Sequence, residues 1–209
     1  MKPLTNYPAI IVDLDGTLYF QKPVRMAMLK EMVLHFWRFR DFLMIQKYRK
    51  MYEQGYSETE RKALLPTTAS QVVHEWMLKR PLPFVAKFRD DALITQLEQV
   101  MKSGIIVIVY SDYPVKEKLE ALRFLPDQAY SAEDLGCMKP NAEGLIRILT
   151  EQHIDPKACL VIGDRKDKDG VLGLNMSAEV LILSASRKKR ADIYKKFSFS
   201  EKTHEAGYF

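Results

Sequence analysis

Cysteine is scarce in this sequence. The two cysteines, Cys137 and Cys159, lie far apart and belong to no Cys-x-x-Cys pattern, which argues against both a disulfide framework and a zinc site. The four histidines are scattered without the spacing of metal ligands. We therefore expect the cysteines and histidines to have packing or surface roles.

Long hydrophobic runs are also absent. The longest continuous apolar run covers residues 105–110, far short of the roughly 18 apolar residues that a membrane-spanning helix needs. The first residues lack the apolar region of a signal peptide. The sequence therefore predicts no transmembrane segment, and the cytoplasm is the expected location.

Composition and charge are compatible with a globular protein that binds anions. The 209 residues are 47% hydrophobic and 28% charged, which fits one domain, or a core domain with an insertion. The net charge of +5 is unevenly distributed, because residues 20–90 hold 14 Lys and Arg against 7 Asp and Glu. This basic region favours phosphorylated small molecules, nucleic acid or anionic lipid as partners.

Apolar runs and helical periodicity alternate along the chain. Residues 9–12 and the β-branched run 105–110 are typical of strands buried on both faces. Further strands are predicted over 158–162 and 179–183. Helices are predicted over residues 23–53 (as one helix or two), 68–79, 84–102, 114–123, 141–153, 166–174 and 186–197. Strands that alternate with helices indicate an α/β fold with a parallel sheet.

Two carboxylates follow the first predicted strand. Asp13 and Asp15 come after three apolar residues and before Gly16 and Thr17. Like charges at this spacing repel each other, and unpaired buried carboxylates are costly. A divalent cation and a phosphate-bearing substrate are the expected counter-charges, and a solvated turn is the alternative.

Polar residues also follow the other predicted strands. They are Ser111 and Asp112 after 105–110, Lys139 before the helix at 141, and Asp164, Arg165, Asp167 and Asp169 after 158–162. Ligands of parallel sheets bind beyond the carboxyl ends of the strands. The sequence therefore predicts that these residues converge at one edge of the sheet.

In that order, these residues resemble the four motifs of the haloacid dehalogenase-like superfamily of phosphatases. The matching segments are Asp13-Leu14-Asp15-Gly16-Thr17, Ser111, Lys139-Pro140, and Gly163-Asp164-Arg165-Lys166-Asp167-Lys168-Asp169-Gly170. The resemblance implies a three-layer, Rossmann-like α/β core formed by residues 1–19 and 101–209. It also implies that residues 20–100 form a helical cap domain over the site.

The resemblance further implies the chemistry of a phosphatase. Asp13 would be the nucleophile that forms an aspartyl-phosphate, and Asp15 would protonate the leaving oxygen and then activate water. Mg²⁺ would be bound by Asp13, the backbone carbonyl of Asp15 and Asp164. Asp169 would support a metal-bound water, with Asp167 as the alternative.

The remaining motif residues would bind the phosphoryl group. Ser111 and the backbone N–H groups of Leu14, Asp15 and Asp112 would donate hydrogen bonds to its oxygens. Lys139 would neutralise charge on the nucleophile and the phosphoryl group. Thr17, grouped with the substrate-binding residues, would order the turn, and Arg165 is expected to pair with a neighbouring acid.

Asp15 distinguishes between activities within the superfamily. Dehalogenases lack this second acid and P-type pumps carry threonine there, so its presence favours a phosphatase of small phosphorylated metabolites. Three alternatives stay open: a phosphomutase, a phosphatase of lipid-linked phosphates at the membrane surface, and a binding protein that retains the fold without catalysis.

The expected partners depend on the aromatic and basic residues of the predicted cap. Its aromatic residues are Phe36, Trp37, Phe39, Phe42 and Tyr48. They are expected to form the core of the cap itself; the alternatives are an apolar pocket, peripheral membrane contact and a homodimer interface. Its basic residues face either an anionic group or solvent: Arg25, Arg38, Arg40, Arg49 and Lys50. The segment Arg187–Arg190 is predicted to be a solvated helix face, and no nucleic-acid-binding motif is present.

Overall fold

A parallel five-stranded sheet lies at the centre of the protein. The structure is a computed structural model, and it describes residues 3–197. The strands are β1 (Ala9–Val12), β2 (Ile106–Ser111), β3 (Gln128–Ser131), β4 (Leu160–Gly163) and β5 (Glu179–Ile182). Their order in the sheet is β3-β2-β1-β4-β5, and every neighbouring pair is parallel. The predicted α/β fold is confirmed.

The central strand β1 is buried on both faces because all its residues are apolar. Ile10 pairs with Val107 of β2 on one side and with Leu160 of β4 on the other. The predicted strands are all present, but β3 was not predicted. Its sequence, Gln-Ala-Tyr-Ser, is short and partly polar, so it carries no apolar run that would mark a strand.

Helices cover both faces of the sheet and complete three layers. They are α6 (Asp91–Lys102), α7 (Lys116–Leu122), α8 (Ala132–Leu135), α9 (Glu143–Glu151), α10 (Val171–Met176) and α11 (Arg187–Phe197). Leu97 of α6 and Leu122 of α7 pack with Ile10 on one face. Leu145 of α9 and Leu172 of α10 pack with Ile11 on the other. Successive residues of β1 therefore anchor opposite helical layers.

A helical insertion, residues 21–87, separates β1 from α6. It contains α1 (Gln21–Leu34), α2 (Phe39–Glu53), α3 (Glu58–Leu64), α4 (Ala69–Val73), which continues as a π-helical segment (His74–Lys79), and α5 (Leu82–Lys87). A short 3₁₀ segment, Phe36–Arg38, divides the predicted helix 23–53 into two. The division into core and cap domains at residues 20 and 100 stays a prediction.

Two further details of the insertion differ from the prediction. Helix α3 was not predicted, although Ser57 and Glu60 form a capping box at its start. The predicted helix 84–102 is interrupted before α6, where the side chain of Asp90 accepts a hydrogen bond from Leu93 N (3.3 Å) and caps the new helix.

The aromatic residues of the insertion do not all lie in a core. Tyr48 packs against a small core formed by Met51, Leu65 and Ala69. Trp37 was expected in that core but is 66% exposed, because it lies in the 3₁₀ turn between α1 and α2. The side chains of Phe36 and Phe39 lie outside the described parts of the structure. None of the described helices is long and apolar enough to cross a membrane.

Candidate active site

The carboxyl ends of β1, β2 and β4 meet at one edge of the sheet, and the predicted polar residues converge there. Asp13 N donates a hydrogen bond to Ile162 O (2.8 Å), which fixes the chain as it leaves β1. Gly16 has a φ of +99°, and a Cβ at this position would lie 2.3 Å from Asp164 Oδ2. Only glycine therefore lets the loop after β1 approach Asp164 so closely.

Asp13 is buried between a cation and a hydroxyl group. Its Oδ1 accepts a hydrogen bond from Lys139 Nζ at 2.6 Å, and its Oδ2 accepts one from Thr17 Oγ1 at 2.9 Å. Lys139 Nζ also donates to Asp169 Oδ1 at 2.8 Å. Burial raises the pKa of Asp13 to about 7 despite the attraction of Lys139, and the charge of Asp169 contributes to the rise.

Three carboxylates form an acid cluster consisting of Asp13, Asp164 and Asp169. One oxygen atom from each lies within 4.8 Å of the others. Asp164 Oδ1 is buried and has no hydrogen-bond partner among the described residues, and burial together with Asp169 raises the pKa of this carboxyl. Lys139 supplies one positive charge against three negative ones. The donor set, the excess charge and the unsatisfied oxygen all fit a hard divalent cation such as Mg²⁺.

Asp15 lies in a different electrostatic environment from Asp13. Lys118 Nζ lies 2.6 Å and 2.7 Å from its two carboxylate oxygens, and the hydroxyl of Tyr19 donates to Oδ1 at 2.5 Å. Burial alone would raise the pKa of Asp15, but Lys118 and Tyr19 lower it below its usual value. Ser111 Oγ lies 3.4 Å from Asp15 Oδ2, so the predicted phosphoryl-binding hydroxyl is adjacent to the second acid.

Asp112 connects the strand-end loops to each other. Its Oδ1 accepts a hydrogen bond from the backbone N–H of Lys139 at 2.9 Å, and its carboxylate pairs with Lys168. Its backbone carbonyl accepts a hydrogen bond from the hydroxyl of Tyr52 in the helical insertion (2.9 Å). The side chain of Asp112 therefore positions the loop that carries Lys139.

The two candidate acids after Asp164 differ sharply in environment. Asp169 is 2% exposed, contacts Lys139 and accepts a hydrogen bond from Arg165 N at 3.0 Å. The side chain of Asp167 is 70% exposed and pairs with Arg165 at 2.5 Å. Asp169 therefore lies in the acid cluster, and Arg165 forms an ion pair with a neighbouring acid as expected.

The family model of haloacid dehalogenase-like hydrolases matches residues 7–173, a range that includes β1 to β4 and the acid cluster. The chain belongs to the haloacid dehalogenase-like hydrolases. No curated protein sequence matches it.

Solved structures of haloacid dehalogenase-like hydrolases share this fold at low sequence identity. The YfnB hydrolase of Bacillus subtilis, bound to magnesium, is 16% identical, with a TM-score of 0.59 over 92% of this chain and 99% of that one. CbbY of Rhodobacter sphaeroides, in complex with xylulose-(1,5)bisphosphate, is 16% identical, with a TM-score of 0.57 over 93% and 92%. A 2-haloacid dehalogenase of Pseudomonas syringae is 19% identical, with a TM-score of 0.51 over 83% and 85%. These similarities concern the fold alone.

In this haloacid dehalogenase-like hydrolase, a buried arginine supports the loop after β1. Arg190 of α11 donates hydrogen bonds to Thr17 O (2.8 Å) and Gly16 O, and its Nη1 lies 2.8 Å from Asp90 Oδ2. The prediction that Arg187–Arg190 is a solvated face is wrong for Arg190, which is 1% exposed. The position is buried because α11 packs this side chain against the loop after β1.

Lys118 and Tyr19 were not predicted as site residues. Tyr19 lies four residues after Asp15 and reaches back to it within the same loop. Lys118 lies 103 residues from Asp15 in the chain. No motif marks this lysine in the sequence, and only the packing of α7 beside β1 brings it to the carboxylate. The one feature of the sequence that could have pointed to Lys118 is its position in the first turn of the helix after β2.

Proposed function

We propose that this hydrolase is a Mg²⁺-dependent phosphatase that cleaves phosphate monoesters through an aspartyl-phosphate intermediate. The observation that carries the proposal is the contrast between two adjacent carboxylates. Asp13 belongs to an acid cluster with an unsatisfied buried oxygen, whereas Asp15 is paired with Lys118 outside that cluster. One carboxylate is thus suited to act as nucleophile beside a cation and the other to transfer a proton.

In the first step, Asp13 attacks the phosphorus of the ester. A bond forms between its carboxylate oxygen and phosphorus, the bond from phosphorus to the ester oxygen breaks, and Asp15 gives its proton to the departing oxygen. In the second step, Asp15 takes a proton from water, whose oxygen attacks phosphorus. The bond to Asp13 then breaks, inorganic phosphate leaves, and both carboxylates return to their starting states.

The protonation state of Asp15 has to change during this cycle. Lys118 favours the ionised form, which suits the second step, in which Asp15 accepts a proton. An anionic phosphoryl group that binds nearby raises the pKa of a carboxyl, and it also competes for Lys118. Substrate binding therefore favours the protonated form that the first step requires.

The metal would be held by Asp13, the backbone carbonyl of Asp15, Asp164 and Asp169. When bound, Mg²⁺ supplies positive charge that offsets the repulsion between an anionic nucleophile and an anionic substrate. Lys139 holds Asp13 and Asp169 in place through its two ammonium contacts. Its charge stabilises the phosphoryl oxygens as they gain negative charge.

Ser111 and Thr17 complete the proposed site. Ser111 Oγ accepts a hydrogen bond from the backbone N–H of Tyr113 at 3.2 Å and donates a long one to Asp15 Oδ2 at 3.4 Å. Its hydroxyl would turn from Asp15 to a phosphoryl oxygen when the substrate binds. Thr17 orients Asp13 through its hydroxyl. The backbone N–H of Asp112 is proposed as a further donor to the phosphoryl group.

We propose that the helical insertion acts as a cap over this site. Tyr52 of α2 reaches the backbone of Asp112, and Arg61 of α3 lies 3.1 Å from Glu133 at the start of α8. Both contacts join the insertion to segments that directly follow strands, the loop after β2 and helix α8 after β3. A cap in this position would exclude water during phosphoryl transfer and contact the leaving group. The cytoplasmic location and the oligomeric state stay predictions.

Phosphate release from a panel of monoesters tests the proposal. Sugar phosphates, nucleotides, phosphoglycolate and a prenyl phosphate would be assayed with Mg²⁺ and with EDTA. We expect release in Mg²⁺, loss of release in EDTA, and loss of release in Asp13→Asn. Asp167→Asn is the matched control, because Asp167 lies in the same segment as Asp169 but faces solvent.

The intermediate can be trapped in a second experiment. With p-nitrophenyl phosphate, whose leaving group departs without a proton, Asp15→Asn still allows the first step but cannot activate water for the second, so phosphorylated Asp13 should accumulate and be detected by mass spectrometry after acid quenching. Phosphoryl transfer to a second hydroxyl without phosphate release would identify a phosphomutase instead. Full activity of Asp13→Asn would contradict the assignment of the nucleophile.

A further inference from the structure

An apolar cavity opens beside Asp15, between the helical insertion and the edge of the sheet. Its volume is about 1080 Å³, just above the usual range of about 300–1,000 Å³ for small-molecule sites. On the core side it is lined by Asp15 and Lys118, and Tyr19 lies next to them. On the other side it is lined by α1, α2 and the segment around Trp76. The cavity therefore begins at the group that would protonate the leaving oxygen.

Helices α1 and α2 present apolar faces to this cavity. Val24, Met28 and Met32 line it from α1 at intervals of four residues, and Phe42 and Ile45 line it from α2. Residues at these spacings lie on one side of a helix. A second cavity of about 220 Å³ shares lining residues with the first, including Met32, Phe42 and Ile45. The apolar space thus extends beyond the main cavity.

Five cationic side chains line the cavity: Arg25, Arg49, Arg61, Lys62 and Lys118. Arg49 lies over the ring of Tyr113 in the loop after β2. Lys118 is paired with Asp15. Arg61 pairs with Glu133 and donates a hydrogen bond to the backbone carbonyl of Tyr56. Around Met32, Phe42 and Ile45 the lining is mostly aliphatic, aromatic or thioether. The polar groups of the second cavity have partners within the insertion, because Arg38 pairs with Asp41 and His35 Nδ1 lies 2.8 Å from Glu31 O. A sugar or nucleotide in that part would lose hydration without gaining an equivalent set of hydrogen bonds.

We propose that the leaving group of the substrate is an extended apolar alcohol, so that the substrate is a phosphate monoester of an aliphatic or isoprenoid chain. The inference rests on the proposed phosphatase function. The ester oxygen must lie near Asp15 to receive its proton, and whatever is bonded to that oxygen must extend into the cavity. Methionine side chains adapt to irregular apolar ligands, and four methionines line the cavity: Met26, Met28, Met32 and Met77.

A chain-length series tests this substrate class. Phosphate release would be measured for butyl, hexyl and octyl phosphate and for geranyl phosphate, with Mg²⁺ and below the critical micelle concentration. Each buried methylene group should raise kcat/KM roughly threefold to fourfold, giving on the order of a hundredfold between the butyl and octyl esters. A greater kcat/KM for geranyl than for octyl phosphate would indicate that the leaving alcohol is an isoprenoid chain. The reverse order would indicate a linear aliphatic chain.

A variant that fills the apolar part of the cavity gives an independent test. In Ile45→Trp, the larger side chain occupies space beside Phe42 and Met32, so the octyl-to-butyl ratio of kcat/KM should fall at least tenfold. Gln46→Trp is the matched control, because Gln46 is exposed on the same helix and does not line the cavity. Its ratio should equal that of the wild type. Circular dichroism would verify that both variants are folded.

The outcomes separate the inference from the function on which it rests. Equal kcat/KM across the series, with clear phosphate release, would overturn the apolar substrate and leave the phosphatase intact. A chain-length effect seen only when the esters are presented in vesicles would assign the effect to the membrane surface and overturn the role of the cavity. Absence of release from every ester, together with absence of a phosphorylated Asp13 when Asp15→Asn is treated with p-nitrophenyl phosphate, would overturn the proposed function itself.

Discussion

Replacing Asp13 by asparagine should stabilise the metal-free protein at alkaline pH while abolishing turnover. The side chain of Asp13 is only 11% exposed, and burial raises its pKa from 3.8 to about 7, with Asp169 adding to the rise. Ionised Asp13 therefore costs folding free energy that a neutral amide does not. The amide oxygen can still accept a hydrogen bond from Lys139, and the amide N–H can donate to Thr17.

The size of the effect follows from the raised pKa. A rise from 3.8 to about 7 corresponds to about 4 kcal/mol, at about 1.4 kcal/mol for each pH unit. The variant also loses stability, because the hydrogen bond from Lys139 is no longer made to a charged acceptor. We therefore take half of this value, about 2 kcal/mol, as the expected gain in the free energy of unfolding. For a chain of this length, that difference should raise Tm by about 4–8 °C.

The direction of the pH dependence follows from the same pKa. The folded protein binds the proton of Asp13 more tightly than the unfolded chain does. This contribution to stability is therefore fully present below about pH 3.8 and is lost as the pH rises through about 7. The difference in Tm between the variant and the wild type should be small at pH 5 and complete at pH 8, measured in EDTA by thermal unfolding.

Two comparisons make the result decisive. Asp167→Asn removes an exposed acid from the same segment as Asp169, and its Tm should match that of the wild type at both pH values. Mg²⁺ should stabilise the wild type more than Asp13→Asn at pH 8, because the ionised carboxylate is a proposed ligand. A lower Tm for Asp13→Asn at pH 8 in EDTA would mean that the ion pair with Lys139 outweighs burial, and the reasoning would be wrong.

Three further predictions follow from the contacts around the site. Lys118→Met should raise the pKa of Asp15 and shift the pH profile of kcat/KM to higher pH, and an unchanged profile would show that this lysine does not control the proton transfer. Arg190→Met should lower the free energy of unfolding, measured in urea, by about 3–5 kcal/mol, because it leaves the buried carboxylate of Asp90 without its cation. Lys189 is exposed on the same helix, so the control Lys189→Met should change this free energy by less than about 0.5 kcal/mol. Asp164→Asn should raise the Mg²⁺ concentration that gives half-maximal activity at least about tenfold; an unchanged requirement for Mg²⁺ would remove Asp164 from the metal site.

The central strands and most of the predicted site residues could be located from the sequence. Apolar runs mark β1, β2 and β4 because a strand buried on both faces has few polar residues. The carboxyl ends of parallel strands meet at one edge, so Asp13, Ser111 and Asp164 could be expected to converge before any distance was known. These features depend on local composition and on a general rule of chain topology.

Tertiary structure decides three features of the site: the pairing of Lys118 with Asp15, the burial of Arg190, and the cavity between the helical insertion and the edge of the sheet. Each arises where segments distant in the chain pack together. Strand β3 was also missed, because its pairing with β2 rather than an apolar run makes it a strand. A local pattern reports which face of a segment is apolar, but it does not identify the segment against which that face packs. The sequence by itself therefore determined the fold class and the acids of the site, whereas packing alone decided their charge partners and the space beside them.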